Sequence, residues 1–99
     1  MTAIVAPKLV GPVIRGVDDD IIDAVITAAE ADNPNVELVI EDRGGYVRIQ
    51  TAGHFRLTQA SMATALGRPF RLSEIEPSLV SFAGRLESKD DAWVWTIHS

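Results

Sequence analysis

The chain contains no cysteine, which excludes disulfide bonds, cysteine-ligated zinc and cysteine-ligated iron–sulfur clusters. The same absence suits a reducing compartment, and we expect a cytoplasmic protein. Histidine is also scarce, since His54 and His98 are the only two. Diiron centres in helical bundles use Glu-x-x-His pairs, but the residues three places before these histidines are Thr51 and Trp95. We therefore expect no metal site, and we interpret both histidines as strand-edge residues near solvent.

Long apolar runs and recognisable catalytic motifs are missing as well. No stretch approaches the ~20 apolar residues of a membrane-spanning helix, and the N-terminus lacks the basic start of a signal peptide. A net charge of -5 makes nucleic acids and anionic membranes poor partners, because both are bound through Lys and Arg. The chain has no P-loop, no Gly-x-Gly-x-x-Gly and no Gly-x-Ser-x-Gly sequence, so neither nucleotide binding nor a serine nucleophile is indicated. These absences predict a protein with no cofactor and no catalytic residues.

The composition that remains is that of an ordinary globular protein. The chain has 99 residues, of which 46% are hydrophobic and 23% charged. Such a chain can bury one hydrophobic core, and its composition argues against disorder. We expect a flexible leader at residues 1–8 and a single domain at residues 9–99.

The first part of the chain predicts a strand followed by a helix. Leu9–Arg15 is an extended segment, and Pro12 cannot donate to a sheet ladder, so this strand should lie at an edge or start after the proline. Asp18 can cap the helix, and the acidic run Asp18–Asp20 suits its positive end better than a magnesium ion. Asn33-Pro34 ends the helix. Its apolar stripe is formed by Ile21, Ile22, Val25, Ile26 and Ala29.

The remaining elements are shorter. Thr58 can cap a second helix that Gly67 ends, and Ser73–Glu76 has the form of a capping box before Pro77. The other predicted strands are Val36–Ile40, Tyr46–Gln50, His54–Leu57, Leu79–Glu87 and Ala92–His98. The order is β-α-β-β followed by β-α-α-β-β, which indicates an α+β fold of mostly antiparallel sheets with helices packed beside them.

The predicted strand Leu79–Glu87 has an unusual pattern. Val80 and Phe82 share one face, and Leu79 begins the other, so both faces start with apolar residues. Such a strand is either buried on both sides or presents an apolar face to a partner. Gly84 within it indicates a bulge or the close approach of another backbone.

Two further residue types admit more than one role. Trp93 and Trp95 share a face of the last strand, and such a pair is more often core packing than a ligand cage. Arginines from residue 43 onwards can be solvated residues or interface anchors. They are Arg43, Arg48, Arg56, Arg68, Arg71 and Arg85.

Five short motifs occur in order along the chain. They are Val10–Arg15, Asp32-Asn33-Pro34, Val39–Arg43 leading to Tyr46–Ile49, Leu66–Phe70 and Ser81–Arg85. Taken together, these motifs resemble the effector, or coupling, proteins of soluble diiron monooxygenases, and most closely the toluene- and alkene-type members. The resemblance extends from Leu9 to Ile97.

The resemblance implies a regulatory protein without metal or organic cofactor, which docks on a diiron hydroxylase near its active site. Docking then changes the hydroxylase conformation and couples electron transfer and oxygen activation to hydroxylation or epoxidation of a hydrocarbon. We expect the free protein to be a monomer. The family segment that contacts the hydroxylase matches Leu79–Arg85. The expected interface residues are Asn33, Pro34, Arg68, Pro69, Phe70, Leu79, Val80, Ser81, Phe82, Gly84 and Arg85.

Two other functions are compatible with the residues. The chain could be a small ligand-binding regulatory module of another metabolic enzyme, or a small enzyme that uses Asp and Arg alone. Ligand binding measured by calorimetry distinguishes the first alternative, and turnover by the isolated chain distinguishes the second. The fold class alone does not decide, because two-layer α+β domains have many functions.

Overall fold

Seven strands and three helices make up the described part of the chain. The computed structural model describes residues 8–16 and 19–97, so residues 1–7 of the predicted leader, the predicted cap Asp18 and His98 lie outside it. The elements are β1 Leu9–Arg15, α1 Asp19–Asp32, β2 Val39–Asp42, β3 Tyr46–Ala52, β4 His54–Thr58, α2 Gln59–Leu66, a 3₁₀ helix Leu72–Ser78, β5 Leu79–Ala83, β6 Arg85–Ser88 and β7 Ala92–Thr96. The predicted α+β class is confirmed.

The strands form two antiparallel sheets. One has the order β2-β3-β1-β5 and the other the order β4-β7-β6. A single cluster of buried side chains joins both sheets to α1, α2 and the 3₁₀ helix. The largest of its fully buried members are Trp95, Phe55, Ile14, Ile49 and Leu57. Along the described residues, none of the helices is both long enough and apolar enough to cross a membrane.

β1 is a central strand, which corrects the edge position predicted from Pro12. The strand begins at Leu9 and lies between β3 and β5. Its pairing with β3 skips Gly11 and Pro12, and Gly11 there has φ +138°. The Gln50 side chain donates from Nε2 to the Gly11 carbonyl oxygen at 3.2 Å. The proline is tolerated because the pairing of β1 with β3 is already interrupted at this point, where the Gln50 side chain binds Gly11. Gln50 and Gly11 are far apart in the chain.

Gly84 divides the predicted strand Leu79–Glu87 into two strands of different sheets. β5 ends before it and β6 begins after it, and Gly84 itself has φ +94°. A Cβ atom at this position would lie 2.6 Å from the Thr96 carbonyl oxygen and 2.7 Å from Val10 Cγ1. The close backbone approach predicted for Gly84 is confirmed, whereas the continuous strand is wrong because the chain passes from one sheet to the other here.

α1 buries a face close to the predicted stripe. Its buried residues are Ile22, Ala24, Val25, Ala28 and Ala29. Ile21 and Ile26, which also belong to the predicted stripe, are half-buried and pack against the margin of the core. The helical periodicity therefore identifies the correct side of the helix.

The predicted caps of α2 are confirmed. Thr58 Oγ1 accepts a hydrogen bond from the Ser61 N–H at 3.2 Å, which satisfies one of the free amides of the first turn. Gly67 ends the helix in the left-handed conformation, with φ +71°. Met62 is the buried residue of this helix, whereas Ala63 and Leu66, also expected to point inward, are half-buried.

The 3₁₀ helix begins after Arg71 rather than after Ser73. The Arg71 N–H donates to the Glu74 carboxylate at 2.8 Å, and the helix continues through Pro77. The capping box predicted at Ser73–Glu76 is therefore displaced by two residues. The displacement has a simple cause, since this cap uses a backbone N–H, which almost every residue type offers.

The strand boundaries differ from the predicted ones by a few residues. β2 begins at Val39, because the chain after α1 first makes a turn in which the Val36 N–H donates to the Asn33 carbonyl oxygen at 3.4 Å. β3 extends to Ala52, and β7 ends at Thr96. The two sheets meet where the ends of β3 and β7 approach β1.

We predict that Gly84→Ala lowers the free energy of unfolding by about 2–4 kcal/mol, because it adds a steric clash to a strained backbone. The clash is with a carbonyl oxygen at 2.6 Å, which cannot move without disturbing β7. Urea denaturation of the purified variant measures the change.

Gly44→Ala is the matched control. Gly44 also has a positive φ, +82°, but a Cβ atom there would meet nothing within 4 Å. This variant should lose only the conformational contribution, about 1–2 kcal/mol. Equal losses in the two variants would show that the contact with Thr96 is unimportant.

Candidate functional site

The titratable residues of the described chain form no metal-binding cluster, and some of them have a structural role. Within this part of the chain, no group of three or more histidine, aspartate and glutamate side chains is placed to hold a metal ion. The Asp32 carboxylate, for example, accepts hydrogen bonds from the Thr58 N–H at 2.8 Å and from Ser61 Oγ at 2.7 Å. These bonds fasten the end of α1 to the start of α2. The features that call for a function lie on the surface.

Large apolar side chains are exposed on both outer strands of the four-stranded sheet. Val80 and Phe82 of β5 are 52% and 42% exposed. Val39 and Ile40 of β2 are exposed at the opposite edge. Neighbouring exposed apolar side chains are candidates for interaction surfaces, because leaving them in water is unfavourable.

The β5 edge has an irregular backbone. Within the described residues, β5 pairs with β1 alone. The register shifts between Val13 and Ile14 of β1, so that Val80 is an extra residue on β5. A bulge of this kind redirects side chains and is common at functional sheet edges. We refer to Val80, Ser81 and Phe82 as the β5 surface.

Aromatic rings support the β5 surface from beneath. The Phe82 ring lies 6.2 Å from the Trp95 ring at an interplanar angle of 60°. Trp95 in turn packs edge-on against Phe55 at 5.5 Å and Trp93 at 5.9 Å. Both tryptophans are buried, which confirms the core role predicted for them. Phe82 is therefore an exposed ring that packs against a buried aromatic cluster.

The other predicted residues of this segment have different environments. Leu79 is half-buried at the start of β5. Gly84 lies at the crossing between the sheets, where its lack of a side chain is required. Arg85 is exposed at the start of β6, where it pairs with Thr96 of β7. Its guanidinium can therefore contribute to the rim of a surface centred on Phe82.

Asn33 is buried and holds α1 against β4. Its side chain is 7% exposed. The amide nitrogen donates to the Ala29 and Arg56 carbonyl oxygens at 2.9 and 2.8 Å, and the amide oxygen accepts from the Arg56 N–H at 2.9 Å. Pro34, the next residue, is exposed. Asn33 thus has a structural role in the free chain, and Pro34 is the member of this motif that a partner can reach.

The motif after α2 likewise contains both buried and exposed residues. Phe70 is buried, whereas Arg68 and Pro69 are exposed. The Arg68 guanidinium lies over the Phe70 ring at 5.6 Å and 3.6 Å from Glu74 Oε1. Arg68 is therefore held in place at the surface by its neighbours.

The topology brings only some of the predicted interface residues together. Leu79 lies opposite Ile14 near the end of β1, and α1 begins a few residues after that strand. Arg68 lines a cleft with residues of the first turns of α1. Arg68 and the start of β5 therefore lie towards the same end of the fold, whereas Pro34 follows the opposite end of α1.

Sequence reasoning missed two exposed apolar sites. Val39 and Ile40 on β2, and Ile97 after β7, were expected to be ordinary strand residues. Their exposure depends on which strands become outer strands and where the last strand ends. Nothing in their local sequence carries that information.

Comparisons with known proteins give a consistent result. The model of the family described as MmoB/DmpM matches residues 8–96. The chain is 52% identical over 88 residues to the effector subunit of the alkene monooxygenase system of Xanthobacter autotrophicus (strain ATCC BAA-1158 / Py2), a match that covers 89% of this chain and 85% of the relative.

Solved structures resemble the chain as well. A chain of the phenol hydroxylase–regulatory protein complex superposes with a TM-score of 0.75 at 25% identity, over 92% of this chain and 100% of that one. Regulatory protein B of soluble methane monooxygenase has the same fold, with a TM-score of 0.66 at 23% identity, over 98% of this chain and 71% of that one.

We predict that Asn33→Ala lowers the free energy of unfolding by about 2–4 kcal/mol, because it removes the side-chain partner of the Arg56 N–H and carbonyl groups. Chemical denaturation measures the loss. The neighbouring exposed residue provides the control, since Asn35→Ala should change stability by less than about 0.5 kcal/mol. A stable Asn33→Ala variant would contradict the structural role given to this amide.

Proposed function

The chain belongs to the MmoB/DmpM family, and on this basis we propose that it is the effector subunit of a multicomponent hydrocarbon monooxygenase. It docks on the diiron hydroxylase of that system and couples electron transfer and oxygen activation to hydroxylation or epoxidation. The named relative supports this role, because it is the effector subunit of an alkene monooxygenase system. The relatives are effector or regulatory proteins, so the chain is a regulatory and not a catalytic component. We place this system in the cytoplasm, with the effector monomeric before it docks.

The β5 surface is the observation that carries the proposed docking site. Val80 and Phe82 are exposed together on a strand that pairs along one edge, and Phe82 rests on Trp95. An aromatic side chain has only two side-chain torsions and loses little conformational freedom on binding, which makes it an effective anchor. Such anchors contribute most of the affinity of protein interfaces.

Polar residues around the β5 surface complete the proposed interface. Ser81 lies between the two apolar anchors, and Arg85 is exposed just beyond them. Arg68 and Pro69 are also exposed, and Arg68 lies towards the end of the fold at which β5 begins. Charged residues at an interface rim mainly set orientation and association rate, so these residues would orient the effector on the hydroxylase. Pro34 belongs to the proposed interface only if the hydroxylase also reaches the end of α1.

The proposed mechanism needs no reactive side chain. A protein that binds one conformation of its partner more tightly than another shifts the partner towards that conformation. A difference of about 1–3 kcal/mol, the usual range for allosteric coupling, shifts such an equilibrium roughly 5–150-fold. A standard interface of about 800 Å² on each partner is sufficient for specific binding.

Reconstitution tests the function directly. A candidate diiron hydroxylase is mixed with its electron-transfer proteins, and the chain is titrated in while product formation and NADH consumption are followed. We expect the product formed per NADH consumed to rise and then saturate with added chain. A rate and a coupling ratio that do not respond to the chain would overturn the proposal.

We predict that Phe82→Ala weakens hydroxylase binding about 10–100-fold, because it removes a central anchor. The isolated domain should remain folded, since Phe82 is 42% exposed. Binding is measured by interferometry or calorimetry with the hydroxylase, and folding by circular dichroism and urea denaturation.

Ile40→Ala is the matched control for this prediction. Ile40 is 46% exposed on β2, the opposite outer strand of the same sheet. Its truncation removes a similar amount of exposed apolar surface and should leave hydroxylase binding within a factor of about 2–3. If Ile40→Ala weakens binding and Phe82→Ala does not, the docking surface lies at β2.

A further inference from the structure

The indole N–H of Trp95 is a buried hydrogen-bond donor that the described residues do not satisfy. Trp95 is fully buried, and its Nε1 has no hydrogen-bond partner among the described residues. Leaving a buried donor without a partner is unfavourable, and native proteins do so rarely. When such a group lies beside a binding surface, an acceptor supplied by the partner is a physical reason for keeping it.

The surroundings of Trp95 indicate from which side an acceptor could approach. Three aromatic rings pack against its indole, those of Phe55, Trp93 and Phe82. Phe55 and Trp93 are buried, whereas Phe82 is substantially exposed. Phe82 belongs to the β5 surface, so the one exposed ring among the three that pack against Trp95 is the proposed docking anchor itself.

We propose that Trp95 is a second, concealed anchor of the docking site. When the hydroxylase docks on the β5 surface, the Phe82 ring shifts, and an oxygen acceptor on the docking face of the hydroxylase binds the Trp95 indole N–H. This inference rests on the proposed docking function and adds a residue to it. The partner surface that fits is apolar where it covers Val80 and Phe82, with one oxygen acceptor positioned to reach past the Phe82 ring.

The arrangement also explains how docking could discriminate between partners. A partner that covers the β5 surface with apolar groups alone would leave the indole donor unsatisfied, whereas one that also carries the acceptor would satisfy it. Discrimination of this kind is strong, because the loss of a hydrogen bond to a buried group is not compensated by water.

Nuclear magnetic resonance of the two indole groups tests the inference. The chain has two tryptophans, Trp93 and Trp95, so that a deuterated chain labelled with ¹⁵N-indole gives two Nε1–H resonances, which the Trp93→Phe variant assigns. On titration with the hydroxylase, we expect the Trp95 resonance to move downfield and its exchange with solvent to slow. A Trp95 resonance that stays unchanged while the complex forms would overturn the inference.

Binding measurements provide a second readout with a matched control. Trp95→Phe removes the donor and keeps an aromatic ring, and it should weaken hydroxylase binding about 10-fold. Trp93→Phe makes the same chemical change in the adjacent buried ring and should leave the affinity within a factor of 2. Equal affinities for the two variants, with both folded, would contradict the inference; if Trp95→Phe unfolds, the resonance experiment on the unaltered chain decides.

The two proposals fail in different ways. If Phe82→Ala leaves hydroxylase binding unchanged, the proposed docking site at β5 is wrong, and the concealed anchor is wrong with it. If Phe82→Ala weakens binding while the Trp95 indole resonance does not respond, the docking site stands and only the role of Trp95 is withdrawn.

Discussion

The close approach of Gly84 to the backbone of Thr96 is the constraint on which the architecture depends. At this point the chain leaves the four-stranded sheet and enters the three-stranded one, and a side chain of any size would meet a carbonyl oxygen at 2.6 Å. Val10 of the central strand β1 lies on the other side of the same contact. One residue without a Cβ atom therefore joins the two sheets and allows a single core to form between them.

The proposed docking surface is a consequence of that joint. Because the chain turns at Gly84, β5 is left as an outer strand, and its last residues lie next to β7 of the other sheet. This neighbourhood places the Phe82 ring against Trp95, a residue of β7. Exposed apolar side chains are thus presented on a support that belongs to the core, so the fold supplies both the proposed anchor and the buried ring beneath it.

Features that depend on neighbouring residues could be predicted from the sequence, and features that depend on contacts between distant residues could not. Thr58 and Gly67 define α2 because a cap acts within one turn of the chain, and the alternation at Trp93 and Trp95 identifies the buried face of β7. The strand containing Pro12 was misplaced because its pairing at this point involves Gln50, which binds Gly11 from 39 residues away. The amide of Asn33 supports Arg56, 23 residues away, and no local pattern indicates that it is buried.

A protein that acts only by binding can change a reaction no further than its difference in affinity for two states of the partner allows. Side chains that contact both states equally set how much effector is needed, and those that contact one state set how far the reaction is stimulated. Val80 and Phe82 are available before docking, so they are suited to the first role. In the proposed docking mode Trp95 becomes available only when the Phe82 ring has moved, so a bond to its indole would form in a subset of partner conformations and is suited to the second. The layered arrangement of these rings would thereby separate affinity from coupling within one small surface.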